Sequence, residues 1–372
     1  MNTMLPSPPK SFGRLSDVFI SALGSITGID NRLGLRKVES ACVVMVDGLG
    51  VENIAFAAGH MKFLGKQSLN AIRCAFPSTT ASSLVSFATG DRPGVHSFVG
   101  YQVQHDGEPL NLLTGLTANA AKDLQHRPTV SETAKSSGLE CYFIGPPEYE
   151  NSGFTNATMR DATYVAEKEI SKRVSRAVAL LKTQKRSLIY LYIPELDQTA
   201  HRYGSRSMQW LQRAEDVDSE LSRLVDETPK RAGILVTADH GIVDVPTSNH
   251  IYLDDFDFDW TVVQTVGGDP RSRYLYLNDD SLTSSVRQSL TDILGADVHI
   301  CEVQDLVEAG WLANPTVEAR SLLPQLFLIA KTTVAIYHRS FSKPQSMKMI
   351  GQHGSISDAE TRVPLVKLNG YA

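Results

Sequence analysis

Three continuous apolar runs in the sequence each end close to an aspartate, and this pattern restricts the fold more than any other feature. The runs are Ala41–Val46, Ser187–Ile193 and Gly233–Thr237, and the aspartates that follow them are Asp47, Asp197 and Asp239. A run without polar alternation is typical of a strand that is buried on both faces of a parallel sheet. In open α/β sheets, ligands bind at the carboxyl ends of the strands. The pattern therefore predicts a parallel sheet with three carboxylates at its ligand-binding edge.

Strand and helix patterns alternate up to about residue 250, as expected for an α/β protein with a mostly parallel sheet and helices on both faces. A further strand is predicted at 140–145, and apolar residues recur at helical spacing over 163–184 and 207–225. After about residue 250 short strands surround one helix, and the predicted strands are 261–266, 272–277, 296–301 and 326–330. We predict a core of residues 1–250 and 341–372, with a small α+β lobe of residues 251–340 inserted into it.

Composition limits the classes of partner. The chain has 372 residues and a formal net charge of −5, which argues against a nucleic-acid scaffold with a basic face. It contains no run of about 18 apolar residues that could span a membrane. The first ten residues do not resemble a signal peptide, and the four cysteines lie in apolar stretches typical of buried, reduced thiols. These features predict a cytoplasmic protein that binds neither nucleic acid nor membranes. They leave its oligomeric state open.

The segment Phe76–Gly90 combines a strand end, a proline and a cluster of hydroxyl groups. Pro77 is expected to stop the strand because it fixes φ and removes a backbone donor. The hydroxyls of Ser78, Thr79 and Thr80 come next, followed by residues that can form a buried helix. A hydroxyl at a helix start lies among free N–H groups that suit a phosphate. A plain helix cap fits the same pattern, so both interpretations stay open at this stage.

Three histidines could join the aspartates as metal ligands. His201 is four residues after Asp197, so both face the same side if a helical turn follows the strand. His240 directly follows Asp239, and His353 lies between nearby glycines that let the backbone bend. Each histidine alone could be an ordinary surface residue. Together, the imidazoles and carboxylates supply two sites of three ligands, suited to zinc and less well to manganese or iron.

Taken in order, these motifs resemble the nucleotide pyrophosphatase/phosphodiesterase branch of the alkaline phosphatase superfamily. The matching pieces span residues 41 to 365 and are Val46-Asp47-Gly48, Phe76-Pro77-Ser78-Thr79-Thr80, Asp197 with His201, Thr237-Ala238-Asp239-His240-Gly241, and His353-Gly354. The resemblance implies an alkaline phosphatase-like fold and a metal-dependent hydrolase of phosphate esters. It points to a nucleotide pyrophosphatase or phosphodiesterase acting on a small, nucleotide-like substrate.

The resemblance also assigns roles to residues. In the family's pattern, the spacing of Thr80 from the preceding proline selects this residue as the nucleophile and as a metal ligand. Thr79 is the second choice for the nucleophile. It implies a phospho-threonine intermediate and two divalent metal ions, with zinc as the first expectation. One ion is expected on Asp197, His201 and His353, and the other on Asp47, Asp239, His240 and Thr80.

The sequence departs from this family in the segment after the predicted helix. Many members have an asparagine there that donates to a phosphoryl oxygen, but 93–101 contains none. The preference for diesters over monoesters therefore stays open. Phe98 and Tyr101 could stack on a nucleobase or belong to the core. Arg271 and Arg273 could reach a distal phosphate or lie in a solvated turn.

Other functions compete with a phosphodiesterase. A phosphomonoesterase, a phosphonate hydrolase or a phosphosugar mutase of the same superfamily would share the metal ligands, although a mutase is expected to be longer and to use serine. A sulfatase needs a modified Cys or Ser, which Thr80-Ala81-Ser82 does not supply. A binding protein that only keeps the fold is expected to lose ligands, and the sequence retains all six.

Overall fold

The computed structural model describes residues 5–9, 13–183 and 186–372, except for the side chain of Lys122. Its strands are β1 Ala41–Val46, β2 Asn70–Arg73, β3 Gln102–His105, β4 Glu108–Asn111, β5 Glu140–Gly145, β6 Thr163–Ala166, β7 Ser187–Ile193, β8 Gly233–Thr237, β9 Val243–Asp244, β10 His250–Tyr252, β11 Val263–Asp269, β12 Ser272–Leu277, β13 Val298–Cys301, β14 Leu326–Ala330, β15 Ala335–Tyr337, β16 Gly351–Gln352 and β17 Arg362–Asn369.

The α-helices are α1 Val18–Thr27, α2 Val51–Phe56, α3 Thr80–Thr89, α4 Ala118–Leu124, α5 Val130–Ser136, α6 Gly153–Thr158, α7 Ile170–Thr183, α8 Glu195–Tyr203, α9 Met208–Glu227, α10 Thr283–Leu294, α11 Val303–Ala309, α12 Val317–Leu322 and α13 Asp358–Thr361. Short 3-10 helices lie at Leu15–Asp17, Leu64–Lys66, Pro147–Tyr149, Thr247–Asn249, Leu253–Asp255, Trp260–Val262, Asp280–Leu282 and Ser346–Lys348.

Seven strands form the central sheet, in the order β2-β17-β8-β1-β7-β5-β6. Strand β1 pairs in parallel with β7 and β8, and β5 pairs in parallel with β6 and β7, whereas β17 is antiparallel to both of its neighbours. Strands β1, β7 and β8 are buried along their whole length, which explains their continuous apolar sequences. The predicted mostly parallel sheet is confirmed, and β1, β5, β7 and β8 have the predicted bounds.

Helices cover this sheet in two groups. Helices α1, α3 and α5 pack together, with α1 against β1 and α5 against β5. Helices α7, α8 and α9 form the second group, in which α7 lies against β7. The apolar residues of α9 recur every three or four positions and are buried, as the helical spacing over 207–225 predicted.

Three local predictions need correction. Residues 163–166 form strand β6 at the sheet edge, so the helix predicted over 163–184 begins only at Ile170, and residue 184 lies outside the described residues. A four-residue, half-buried strand is too short to show a period of its own. The strand before Pro77 ends at Arg73, and the segment expected to be irregular, 91–128, contains the β3–β4 hairpin and α4.

A second, antiparallel sheet has the order β11-β12-β14-β13, with α10 packed on β13. All of its strands lie within the predicted lobe of residues 251–340, although that domain division itself stays a prediction. The lobe is joined to the region before β17 by a buried ion pair. Arg271 donates from Nε to Glu360 Oε1 at 3.1 Å and from Nη2 to Oε2 at 2.7 Å.

Two predictions from composition concern cysteines and membranes. Cys42, Cys74, Cys141 and Cys301 are buried and unpaired, as expected. Within the described ranges, no helix has both the length and the apolar character needed to cross a bilayer. Part of the first ten residues, residues 1–4 and 10, lies outside the described residues.

Candidate metal centre

The parallel strands bring three aspartates together at one end of the sheet. Asp47 directly follows β1, Asp239 comes two residues after β8, and Asp197 lies in the first turn of α8, just beyond β7. Because β1 lies between β7 and β8, the carboxyl ends of these strands are adjacent. All three carboxylates are buried. The structure therefore places them at one edge, where the sequence pattern predicted them.

Gly48 permits the close approach of two of these aspartates. Its φ is +73°, in the left-handed region that favours glycine. A Cβ atom at this position would lie only 3.0 Å from Cβ of Asp197. The Gly48 N–H also donates to Oδ1 of Asp239 at 3.2 Å. The Asp-Gly pair after β1 is thus required by the packing of the site.

The three predicted histidines lie beside the aspartates. Nε2 of His201 is 3.1 Å from Oδ2 of Asp197, one helical turn away, and Nε2 of His353 is 3.9 Å from Oδ1 of the same residue. Nε2 of His240 is 3.3 Å from Oδ1 of Asp47. The His240 and His353 rings stack with centroids 3.7 Å apart. The structure thus brings all six predicted ligands into one cluster.

Each histidine in this cluster has its other ring nitrogen beside a backbone carbonyl. An Nδ1–H that donates to a carbonyl leaves Nε2 unprotonated and fixes the ring, which is the usual arrangement around a metal. The sequence could not show these partners because they are main-chain oxygens. The Nδ1···O pairs are His201 with Gly351 at 2.8 Å, His240 with Gly241 at 3.1 Å and His353 with Ser78 at 2.9 Å.

The carboxylate oxygens that face one another lack hydrogen bonds. Among the described residues, no hydrogen-bond donor reaches Oδ1 of Asp47, Oδ1 of Asp197 or Oδ2 of Asp239, although all three atoms are buried. An unpaired, buried carboxylate oxygen is costly, and three of them beside imidazole Nε2 atoms form a typical divalent-cation donor set. These residues therefore fit the metal ions that the sequence led us to expect.

The distances between ligand atoms divide the residues as predicted except at one position. Ligand atoms within 4.8 Å of one another fall into two groups that share His240. The first group, Asp47, Asp239 and His240, agrees with the predicted set. The second group, Asp197, His240 and His353, contains His240 at the place predicted for His201. The pairing of His201 with Asp197 supports the predicted set, and its assignment stays a prediction.

The electrostatics of the cluster favour a bound cation. Burial, followed by the charges of Asp239 and Asp197, raises the pKa of Asp47 well above its usual value. Burial and the charge of Asp197 raise the pKa of Asp239 to about 6. Burial also acts to raise the pKa of Asp197, but His201 and His353 hold it below its usual range. Close carboxylates therefore repel one another unless positive charge lies between them.

The three histidines differ in charge. Burial lowers the pKa of His240 to about 4 and that of His353 to about 3. Burial opposes protonation of His201 too, but the adjacent Asp197 raises its pKa to about 9. Neutral imidazoles are the form that binds a metal, so His240 and His353 are ready as ligands. His201 would have to release its proton to bind a metal.

The three hydroxyls at the start of α3 have different partners. Oγ1 of Thr80, the first residue of the helix, lies 3.2 Å from Nε2 of His240. Thr79 is the helix cap, and its buried hydroxyl accepts the Ser82 N–H at 3.4 Å. The Ser78 hydroxyl is buried and donates to a main-chain carbonyl at 2.7 Å. Of the three candidates, Thr80 is the one that faces the metal ligands.

Two cavities meet at Thr80, Tyr101, Leu113 and Asp197. The aromatic cavity has a volume of about 550 Å³, and its walls include Leu84, Leu113, Phe143, Tyr149, Phe154, Tyr190 and Tyr192. The polar cavity has a volume of about 520 Å³, and its walls include Gln102, Asn111, His201, Asp269, Arg273, Lys343 and His353.

The structure bears on the alternatives for four further residues. Phe98 is fully buried and packs against Phe154, so it belongs to the core. Tyr101 lines both cavities. Arg271 and Arg273 are buried, so the solvated turn is wrong for both. The guanidinium of Arg271 is engaged in its ion pair. Arg273 donates from Nε to a main-chain carbonyl at 2.7 Å and lies over the Tyr337 ring.

Two residues of the site were missed from the sequence. The hydroxyl of Tyr192, near the end of β7, donates to Oδ2 of Asp47. Tyr192 is the residue before the last of β7. Because alternate strand residues share a face, this position could have indicated a side chain near the carboxyl end of the sheet. Asp269 lines the polar cavity at a hairpin of the second sheet. Nothing in its local sequence separates it from an ordinary turn carboxylate.

Comparison with known proteins agrees with this geometry. A family model described as type I phosphodiesterase / nucleotide pyrophosphatase matches residues 41–356. No curated protein matches the chain as a sequence. Among solved structures, murine ectonucleotide pyrophosphatase / phosphodiesterase 5 aligns with a TM-score of 0.68 at 17% identity, over 88% of this chain and 87% of that one. Phosphonoacetate hydrolase from Sinorhizobium meliloti 1021 aligns at 0.66 and 18% identity, over 88% and 89%.

Proposed function

The chain belongs to the type I phosphodiesterase / nucleotide pyrophosphatase family of metal-dependent phosphoric ester hydrolases, and from this premise we propose that it cleaves phosphodiesters through a covalent phospho-threonine at Thr80. The observation that carries the proposal is the 3.2 Å contact between Thr80 and His240, inside the cluster of buried carboxylates and imidazoles. A threonine hydroxyl among cation ligands at a helix start is placed to attack phosphorus.

Two divalent ions are proposed to complete the site, with zinc as the first choice because the donors are nitrogen and oxygen. When bound, the ions stabilise negative charge on the attacking and leaving oxygens. The residues that would hold them are Asp197, His201 and His353 for one ion, and Asp47, Asp239, His240 and Thr80 for the other.

The reaction at Thr80 has two steps. In the first, Thr80 releases its hydroxyl proton to solvent and its Oγ1 forms a bond to phosphorus. The leaving oxygen departs with the electron pair of its bond to phosphorus and takes up a proton from solvent. In the second, water breaks the bond between Oγ1 and phosphorus, which restores the hydroxyl and releases a phosphomonoester. The N-terminus of α3 supports both steps, since its free N–H groups and dipole favour negative charge.

The two cavities support a diester substrate. A phosphodiester carries two organic groups on one phosphorus, and two cavities of different character meet beside Thr80. The aromatic cavity suits a nucleobase or another flat, apolar group. A solved structure of an inactive murine ectonucleotide pyrophosphatase / phosphodiesterase 5 holds AMP, and the phosphonoacetate hydrolase holds phosphonoacetate. We propose a nucleotide-like diester as substrate and a phosphonate as the alternative.

The proposal is tested with purified protein supplied with zinc or manganese. Hydrolysis is compared for the 4-nitrophenyl ester of a nucleoside 5′-phosphate, for 4-nitrophenyl phosphate and for phosphonoacetate, with metal content measured in parallel. We expect the nucleotide diester to be the best substrate and a phosphate to be found on Thr80 after rapid acid quenching. A protein that turns over phosphonoacetate fastest, or that never carries phosphate on Thr80, contradicts the proposal.

A further inference from the structure

Ser78 joins the segment of the predicted nucleophile to the segment of a predicted metal ligand. It lies two residues before Thr80, and its side chain is fully buried. Its carbonyl accepts the Nδ1–H of His353 at 2.9 Å, and its N–H donates to the Gly354 carbonyl at 3.4 Å. Its hydroxyl donates to the Ser355 carbonyl at 2.7 Å and accepts the Gly354 N–H at 3.1 Å. The polar groups of Ser78 therefore all bond to three consecutive residues.

The hydroxyl is the part of this contact that a substitution can remove. With alanine at position 78, the main-chain carbonyl would still face His353, but the Gly354 N–H and the Ser355 carbonyl would lose the partner that Ser78 gives them. Buried main-chain groups without a partner are costly, so these residues would shift toward other partners. His353 directly precedes Gly354, so such a shift moves its ring away from Asp197, whose Oδ1 is 3.9 Å from Nε2.

The residues on either side of His353 and Gly354 are held independently of Ser78. Ser355 donates from its N–H to Oε1 of Glu360 at 3.0 Å and from its hydroxyl to the Ala330 carbonyl at 2.6 Å. On the other side, β16 ends at the residue before His353 and pairs with β9. Loss of the Ser78 hydroxyl should therefore loosen the His353 ring and leave the surrounding fold intact.

Ser78 is also fixed relative to the nucleophile. Thr79 separates it from Thr80, and the Thr79 hydroxyl caps α3, which fixes the main chain at the start of the helix. The His353 ring stacks on the His240 ring with centroids 3.7 Å apart, and Nε2 of His240 is 3.2 Å from Oγ1 of Thr80. Contacts through Ser78 and through His240 thus both relate the nucleophile to the His353 ring.

We propose that Ser78 is a positioning residue for the reaction, which aligns the His353 ring with the Thr80 hydroxyl. It acts through these two residues and not by contact with phosphorus or with an ion. The inference rests on the proposed function and adds to it the group that relates the nucleophile to the ion expected on Asp197, His201 and His353. Groups that orient a metal ligand affect both metal affinity and activity.

Zinc binding tests this role without any turnover. For Ser78→Ala, we expect the affinity for one of the two zinc ions to fall about 10- to 100-fold in a titration against a chromophoric chelator. The affinity for the other ion should stay close to that of the unaltered protein. Two unchanged affinities would overturn the inference and leave Ser78 with a role in packing alone.

The matched control is Ser25→Ala, which also removes a buried serine hydroxyl with two partners. The Ser25 hydroxyl donates to the Ala22 carbonyl at 2.7 Å and lies 2.6 Å from the Tyr371 hydroxyl. Tyr371 is beside Gly233 at the start of β8, whereas the metal ligands lie beyond the end of that strand. Ser25→Ala should therefore lower stability in urea without changing either zinc affinity.

A double-mutant cycle shows whether Ser78 acts through the His353 ring. If it does, Ser78→Ala should leave the zinc binding that remains in His353→Ala unchanged, because the ligand that Ser78 orients is already absent. Effects of the two substitutions that add fully on the logarithm of affinity would show that Ser78 acts by another route, and they would overturn the inference.

Amide hydrogen exchange in the metal-free protein tests the contact itself. The Gly354 N–H donates to a buried hydroxyl, so it should exchange slowly in the unaltered protein and at least about 10-fold faster in Ser78→Ala. Ser25→Ala should keep the slow rate. Fast exchange of this amide in the unaltered protein would overturn the inference, and that measurement does not depend on the folding of any variant.

Alignment with Thr80 is tested by turnover of a nucleotide diester at saturating zinc. Ser78→Ala should lower kcat by about 10- to 100-fold and leave KM nearly unchanged, since a small misplacement of the nucleophile slows the chemical step. An unchanged kcat would overturn the alignment. Failure of the proposed function is distinct, because the unaltered protein would then not cleave the diester, whereas the zinc titration and the exchange measurement need no turnover.

Discussion

The hydroxyl of Tyr192 on β7 donates a hydrogen bond to Oδ2 of Asp47 at the end of the neighbouring strand β1. This bond acts against burial and the charges of Asp239 and Asp197, which raise the pKa of Asp47. A hydrogen bond to the ionised form of a carboxyl group favours that form and fixes its orientation. Tyr192 therefore opposes the rise in the pKa of Asp47 and favours the anionic form that a metal ligand must have.

Tyr192→Phe should weaken metal binding by about 10- to 100-fold, as is usual when a group behind a metal ligand is lost. Tyr190→Phe is the matched control, because the Tyr190 hydroxyl is buried two residues earlier on the same strand and lacks a hydrogen-bond partner among the described residues. Zinc affinity is measured by competition with a chromophoric chelator. Equal affinities in the two variants would show that the Tyr192 hydroxyl does not support the site.

Thr80→Ala and Thr79→Ala should separate catalysis from stability. Loss of the Thr80 hydroxyl should lower turnover of a nucleotide diester by orders of magnitude while the predicted aspartate and histidine ligands keep the metals bound. Thr79→Ala, which removes the helix cap, should retain most of the activity. It should lower the free energy of unfolding by about 1 kcal/mol. Thr80→Ser should retain part of the activity. Rates, metal content and urea unfolding are measured for all three, and an active Thr80→Ala protein would exclude the threonine mechanism.

Asp239→Asn should stabilise the metal-free protein and destroy the metal site. The folded-state pKa of Asp239 is about 6, above the usual value of 3.8, so the folded state binds more protons and metal-free stability falls as pH rises through this range. Asparagine does not ionise, so the variant should lack this loss of stability at higher pH. Zinc at 100 times its Kd should stabilise the unaltered protein by about 2.7 kcal/mol and leave the variant unchanged. Thermal melting with zinc and with a chelator measures both effects.

His96 should make the fold sensitive to acid independently of the metal ligands. Its ring is buried, with Nε2 2.8 Å from Oγ of Ser86 and Nδ1 accepting the Phe98 N–H at 3.2 Å. Burial lowers its pKa from 6.5 to about 3. Between these values the unfolded chain binds a proton that the folded chain does not. The contribution of His96 to the free energy of unfolding is therefore fully present above pH 6.5. It is lost as pH falls, at about 1.4 kcal/mol per pH unit.

His96→Gln should therefore show a shallower loss of stability between pH 6 and 4 than the unaltered protein. The control is His126→Gln, which changes an exposed histidine near the same segment. Unfolding by urea at a series of pH values measures the slopes. Parallel slopes for the His96 variant and the unaltered protein would mean that His96 is protonated in the folded state or accessible to solvent.

The sequence predicted the parts of the molecule that local pattern determines. Strands β1, β7 and β8 are recognisable because burial on both faces makes them continuously apolar. The spacing of Asp197 and His201 was informative because one helical turn follows β7. Residues 163–166 were misassigned because a short edge strand has no clear period.

The parts that could not be predicted depend on contacts between distant segments. The Nδ1 partners of the three histidines are main-chain oxygens, so their side chains carry no signal of the contact. The ion pair of Arg271 joins residues 89 positions apart, and nothing near Arg271 in the sequence marks its partner. Asp269 looks like a turn residue until β11 is seen to carry it to the polar cavity.

The ion pair between Arg271 and Glu360 also limits how far the second lobe can swing. Swinging it away would separate two buried charges, and breaking such a pair by removing one partner costs about 3–5 kcal/mol. Arg271 is further held by two main-chain carbonyls, of Thr332 and Val334, at 2.6 and 2.7 Å. These contacts therefore resist movement of the second sheet away from the site. We therefore expect substrate selectivity to depend on the shapes of the two cavities, with little contribution from movement of the second sheet.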